Sequence, residues 1–173
     1  GLPHLVPVPA SALSTIEGER RVPGLTVEYF DNRALEGEAV ETEIVAELDV
    51  NWWDGAPLPE LDDDDFGVRY TGELVAPESG TYALGGYGFS AFTLYLDGEE
   101  LISFHSRHHP NKVYHRVERA AGRSYDLRVV LSAWRGVAHM TVRWAPPPMD
   151  WAAEALAVAE QADAGVGGLG RAR

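Results

Sequence analysis

Four of the six histidines stand in one short run, Phe104-His105-Ser106-Arg107-His108-His109-Pro110-Asn111-Lys112-Val113-Tyr114-His115. Converging imidazoles can gather zinc or nickel, the first chemistry such a run suggests. The spacing argues against it. His108 and His109 are adjacent and cannot easily face one tetrahedral centre, and Arg107 and Lys112 add cations. The donors of this stretch, His109 among them, suit sugar hydroxyls or an acidic partner instead, and a ligand-free surface loop is the alternative. Carboxylates abound, but Asp62-Asp63-Asp64-Asp65 point in different directions. They lack the carbonyl and glycine spacing of a calcium loop and read as a solvated loop. A retaining glycosidase needs two carboxyl groups about 5 Å apart, one with a raised pKa, and no such pair stands out. No Gly-x-Ser-x-Gly elbow is present. The absence of cysteine excludes disulfides, thiolate metal sites and cysteine nucleophiles. The chain alone therefore reads as non-catalytic, with no metal and no cofactor.

Aromatic side chains offer a different chemistry. Tyr87 and Phe89 are apolar plates that can stack on a pyranose face, and Tyr87 can also hydrogen-bond; core packing is their alternative. Trp52 and Trp53 are neighbours in an extended segment, so they face opposite sides and one can be exposed. Trp134-Arg135-Gly136 sets an indole and a guanidinium beside a turn glycine. That suits stacking and hydroxyl recognition, or a cation-π pair capping the fold.

The elements that must position these residues read as β. Alternation or β-rich composition marks strands at 25–30, 41–48, 50–53, 66–75, 81–84, 92–96, 99–103, 113–117, 124–132 and 139–145. Asp97-Gly98 is a hairpin turn, with Asp97 structural. Short strands divided by Gly, Pro, Asn and Asp predict an all-β, antiparallel β-sandwich, and no helical stretch suits a βαβ crossover. Residues 1–23, with four prolines, read as an extended N-terminal arm with one short helical turn in 11–20. Residues 24–148 form the sandwich, closed by Pro146-Pro147-Pro148. Residues 149–173 read as a short C-terminal helix, capped by Asp150, and a disordered tail, the start of a following domain.

With 173 residues the chain can build one sizeable core. Its net charge of -13 repels nucleic acid and anionic membranes, and leaves neutral ligands such as sugars unpenalised. No apolar run is long enough to span a bilayer. No signal peptide is visible, although a chain opening on Gly1 reads as an excised piece. The compartment stays open, with a secreted or periplasmic one preferred.

The block from Phe66 to Ile102 resembles the protective-antigen-type (PA-14) β-sandwich. It carries a Val-Arg-Tyr-Thr-Gly strand, a Pro-Glu-Ser-Gly-Thr-Tyr turn and a Leu-Tyr-Leu-Asp-Gly hairpin in that order. Leu25 to Phe30, Asn51-Trp52, Ala121 to Val129 and Ala138 to Trp144 extend the resemblance over most of the chain. The proline run and Ala-rich segment that follow look like the re-entry into the C-terminal domain of family three glycoside hydrolase β-glucosidases, some of which carry an inserted PA-14 domain. The match fails at Gly165-Val166-Gly167, where that family has a valine strand. The resemblance implies a carbohydrate-associated module that binds sugar or gates a hydrolase pocket. Its partners would be an oligosaccharide or glycoside and the catalytic domains of a parent enzyme. A structural or protein-interaction module without sugar binding is the alternative. PA-14 lectins hold calcium with an Asp-Asp pair before the hairpin strand; Gly86 to Ala91 has no carboxylate, so binding here is expected to be calcium-independent. The resemblance makes Trp52 core and Trp53 the exposed platform, and puts Trp134-Arg135 in the family's second ligand loop. The expected sugar-facing set is Tyr87, Phe89, Trp134, Arg135, Trp53 and His109.

Overall fold

A computed structural model describes the backbone of residues 5–52, 56–62, 65–134 and 138–147. Side chains are described for the same residues except 49–52, 87–90, 104, 106–115, 134, 138 and 139. In chain order the strands are β1 (Val6–Pro7), β2 (Leu13–Glu17), β3 (Arg20–Pro23), β4 (Leu25–Phe30), β5 (Glu41–Val45) and β6 (Asp49–Trp52). Then come β7 (Asp65–Val75), β8 (Gly80–Leu96), β9 (Glu99–Arg119), β10 (Ser124–Trp134) and β11 (Ala138–Ala145).

Alternation decides which residues point inward. In β7 the even positions Phe66, Val68, Tyr70 and Leu74 are buried, and in β10 the odd positions Tyr125, Leu127, Val129, Leu131 and Ala133. Leu25, Val27 and Tyr29 of β4 join them, with Phe92, Leu94 and Leu96 of β8 and Met140, Val142 and Trp144 of β11. Such period-two burial lets antiparallel layers close on one core.

β8 serves both layers. Its second half, from Ala91, pairs with β10, which continues through β7 to β4 and β5 and to β2 and β3. Its first half, to Phe89, pairs with β11, whose other edge takes β6 and β1. Since β9 runs along one edge of β8 throughout, β10 and β11 share the other edge in succession. The strand must therefore bend between them. Glycine permits this: a Cβ on Gly86 would lie 2.9 Å from Cε1 of Phe92. Straight strand would hold those two residues about 20 Å apart.

This corrects two expectations. Residues 86–91 are not a loop between strands 81–84 and 92–96 but the bent middle of β8. The histidine run is not a loop either, because β9 passes through it and absorbs the excess as a bulge. Gly88 pairs with Asn111 and Ser90 with Ser106, so residues 107–110 oppose Phe89 alone. Pro110 is tolerated there because a bulge spares it a ladder hydrogen bond. At the N-terminal side a 3₁₀ turn, Ala10–Ala12, precedes a β2–β3 hairpin where a helical turn was expected. The predicted C-terminal helix lies outside the described residues.

Candidate functional site

The pairings give the sandwich two distinct ends. At one, Phe89 lies opposite His139, His139 opposite Asn51, and Ala138 opposite Trp52. The β9 bulge flanks Phe89 on its other edge, and Tyr87 pairs with Lys112 and Thr141. With strands about 4.8 Å apart, the row from bulge to β6 is about 15 Å wide. In the other layer Ala91 pairs with Ser132, and Trp134 ends β10 opposite Asp65.

Of the expected sugar-facing set, Tyr87 and Phe89 thus have their backbones in β8, His109 in the β9 bulge and Trp134 at the end of β10. Trp53 and Arg135 lie outside the described residues. Trp53 follows β6, and Arg135 follows β10, in sequence.

One contributor was not anticipated: the β4–β5 connection. Asp31-Asn32 reads in sequence only as a strand breaker. In the structure Asn32 closes a loop, its Oδ1 accepting from the Glu36 N–H and its Nδ2 donating to the Glu36 carbonyl, both at 2.9 Å. Leu35 adopts φ +55°, which a bulky residue does at a cost, and packs where a Cβ on Gly67 would meet its Cδ1 at 2.6 Å. The Arg33 N–H donates to Asp65 Oδ1 at 2.9 Å, and the Arg33 carbonyl accepts from Ser132 Oγ at 2.8 Å. Asp65, expected as one more solvated carboxylate, therefore ties this loop beside the end of β10. The Arg33 guanidinium reaches Asp65 at 3.9 Å with both side chains about half exposed, so the ion pair orders the loop more than it stabilises the fold. The asparagine followed by a turn glycine, Gly37, was the available signal.

The opposite end is packed rather than open. Tyr82 hydroxyl donates to the Glu78 carbonyl at 2.6 Å and accepts from its N–H at 3.0 Å, closing the Pro77 turn. Its ring meets that of Trp144 at 5.5 Å. The cavity beside them, lined by Leu74, Leu84, Leu96 and Tyr125 among others, holds about 10 Å³, no more than one water needs. The chain comes in and leaves here: Val6 pairs with Trp144, and Pro147 packs on Gly80. Elsewhere, burial raises the pKa of Tyr29, helped by its 2.5 Å hydrogen bond to Glu43, and burial raises that of Tyr70. Both stay protonated, unsuited to act as bases.

Residues 21–150 match the PA14 domain family. Over 78 residues, 45% of this chain and 9% of the relative, the sequence is 35% identical to a β-glucosidase of Rhizobium radiobacter. The chain thus spans under a tenth of that relative. The fold superposes on a β-glucosidase from Kluyveromyces marxianus with a TM-score of 0.67 at 19% identity, covering 93% of this chain and 21% of that one. It superposes on the PA14 sugar-binding domain of an RTX adhesin with a TM-score of 0.59 at 13% identity, covering 73% and 92%. Likeness at such identity shows the fold, while the match of 21–150 shows the family. This antiparallel β-sandwich belongs to the PA14 domain family.

Proposed function

We propose that this chain is a non-catalytic carbohydrate-binding or substrate-gating module of a β-glucosidase-like glycoside hydrolase. One observation carries the reading: the backbones of the bent middle of β8, the β9 bulge, the start of β11 and the end of β10 lie at one end, while Val6 and Pro147 lie at the other. The eight residues of β11 separate the ends by about 24 Å. A module held at one end presents the other to whatever lies across from it. Tyr87 and Phe89 would stack on sugar, Trp134 and Arg135 would complete a wall, and Trp53 and His109 would flank it. With no carboxylate from Gly86 to Ala91, calcium takes no part. A wall selects by clash, rejecting the longer chain even where the shorter one gains few contacts. The β-glucosidase relative and the sugar-binding PA14 neighbour support this reading.

The test is heteronuclear NMR of the chain titrated with gluco-, xylo- and cello-oligosaccharides, with and without calcium. Calcium-independent shifts centred on Tyr87 and Trp134 are expected. Shifts that require calcium, or that fall at the Tyr82–Trp144 end, would refute the reading. Silence at millimolar sugar would reject an autonomous site and leave gating within the parent enzyme.

A further inference from the structure

At the end where the chain leaves, two arginines share one aromatic ring. The Cζ of Arg119 lies 4.7 Å and that of Arg123 5.1 Å from the centroid of Tyr125. Tyr125 is itself held, its hydroxyl accepting the Ala120 N–H at 2.9 Å. In a chain of net charge -13 such cations would ordinarily find a carboxylate. Neither forms an ion pair with one among the described residues. Glu118, next in sequence, has its carboxylate engaged by the Thr81 hydroxyl, and only its carbonyl accepts from Arg119 Nη1, at 2.7 Å. Among the described residues Arg119 Nε is buried without a hydrogen-bond partner, a costly state for a donor on a cation. The scaffold around the pair is fixed: Ser79 Oγ accepts the Ala121 N–H and the Ala76 carbonyl accepts the Gly122 N–H, both at 2.8 Å. Arg119 pairs with Gly80, on which Pro147 packs, so the arginines border the point of departure of the chain.

We propose that Arg119 and Arg123 form a docking site for an aspartate or glutamate carboxylate on the domain to which this end of the sandwich is joined. The inference rests on the reading of the chain as a module of a larger enzyme, and is independent of whether it binds sugar. Arg119 is partly exposed, so a turn of its side chain brings the free Nε–Nη2 edge outward as a fork for a carboxylate. Arg123, exposed, adds the second charge. The site would fix the orientation of the module, and with it where the far end points.

The experiment follows arginine Nε–Hε signals of the ¹⁵N-labelled chain during titration with an acetylated, amidated tetraglutamate peptide at low salt. Saturable shifts confined to Arg119 and Arg123 are expected, with Arg20, exposed on β3, unmoved. Arg123→Gln, which removes the charge and its stacking on Tyr125 but no buried side chain, should weaken the peptide by about tenfold, and Arg119→Lys, which keeps charge but loses the fork, should weaken it similarly. No saturable shift, or equal shifts at Arg20, overturns the proposal. Cello-oligosaccharide added to the same sample reports on the other end, so failure of sugar binding and failure of docking are read separately.

Discussion

Replacing Gly86 with alanine distinguishes a bent β8 from a straight one by the sign of its effect. In a straight strand alanine should stabilise by about 0.5–1 kcal/mol, because glycine loses more backbone freedom on folding. At the bend the sign reverses. The new methyl would stand 2.9 Å from Cε1 and 3.1 Å from Cζ of Phe92, with the Thr141 carbonyl at 3.6 Å behind it. Phe92 is 1% exposed, so its ring has no open space to move into. Overpacking of this kind costs about 1–3 kcal/mol, leaving a net loss of about 0–2.5 kcal/mol, centred near 1 kcal/mol. For a chain of this size the central value lowers Tm by roughly 2–4 °C. Urea unfolding followed by tryptophan fluorescence, with thermal melts beside it, measures the loss. Phe92→Leu then tests the cause: a smaller side chain makes room, so Gly86→Ala should cost less than half as much in that background. A stabilising Gly86→Ala, or a cost that Phe92→Leu leaves unchanged, would refute the bend.

Asp97 holds φ +50° at the β8–β9 turn while its Oδ1 accepts the Asp126 N–H at 2.8 Å. Asp97→Ala should cost about 1–2 kcal/mol in urea titration, whereas Asp97→Asn, which keeps the acceptor and tolerates the left-handed region, should cost far less; equal losses would contradict that assignment. The folded-state pKa of Tyr29 is raised by burial and Glu43, above an unfolded value of about 10. As the pH climbs past about 10 the unfolded chain gives up this proton while the folded chain keeps it, so stability is intact below and declines above. Tyr70 contributes in the same direction, and Tyr29→Phe should flatten the alkaline decline without abolishing it. Identical slopes for the two proteins in alkaline denaturation would exclude Tyr29 as a source.

The sandwich is legible in sequence where alternation is strict. The inward series of residues 66–74 and 125–131 is the one that the core buries, and Asp97-Gly98 turns where its chemistry says it should. The two long strands are not legible, for a physical reason. Gly85, Gly86 and Gly88 carry the same local signal whether they form a loop or bend a strand, since both demand small residues. What decides is pairing with β9 and β11, partners remote in sequence. Pro110 and the polar run around it likewise announce an interruption, and only the register reveals that a bulge, not a strand end, absorbs them.

The candidate site divides along the same line. Residue type could nominate aromatic and basic side chains, but the shared end of Phe89, the β9 bulge and Trp134 follows from register. Arg33 and Asp65 are 32 residues apart, and neither carries a local motif that points to the other. The bend of β8 explains why these pieces meet. It lets Phe89 pair with His139 in one layer while Ala91 pairs with Ser132 in the other, so strand ends from both layers come to the place where the strand crosses. Straightening β8 would separate the β9 bulge and β11 from the β10 end and the Arg33 loop. Any activity that needs groups from both layers therefore depends on the bend, which Gly86→Ala strains against Phe92.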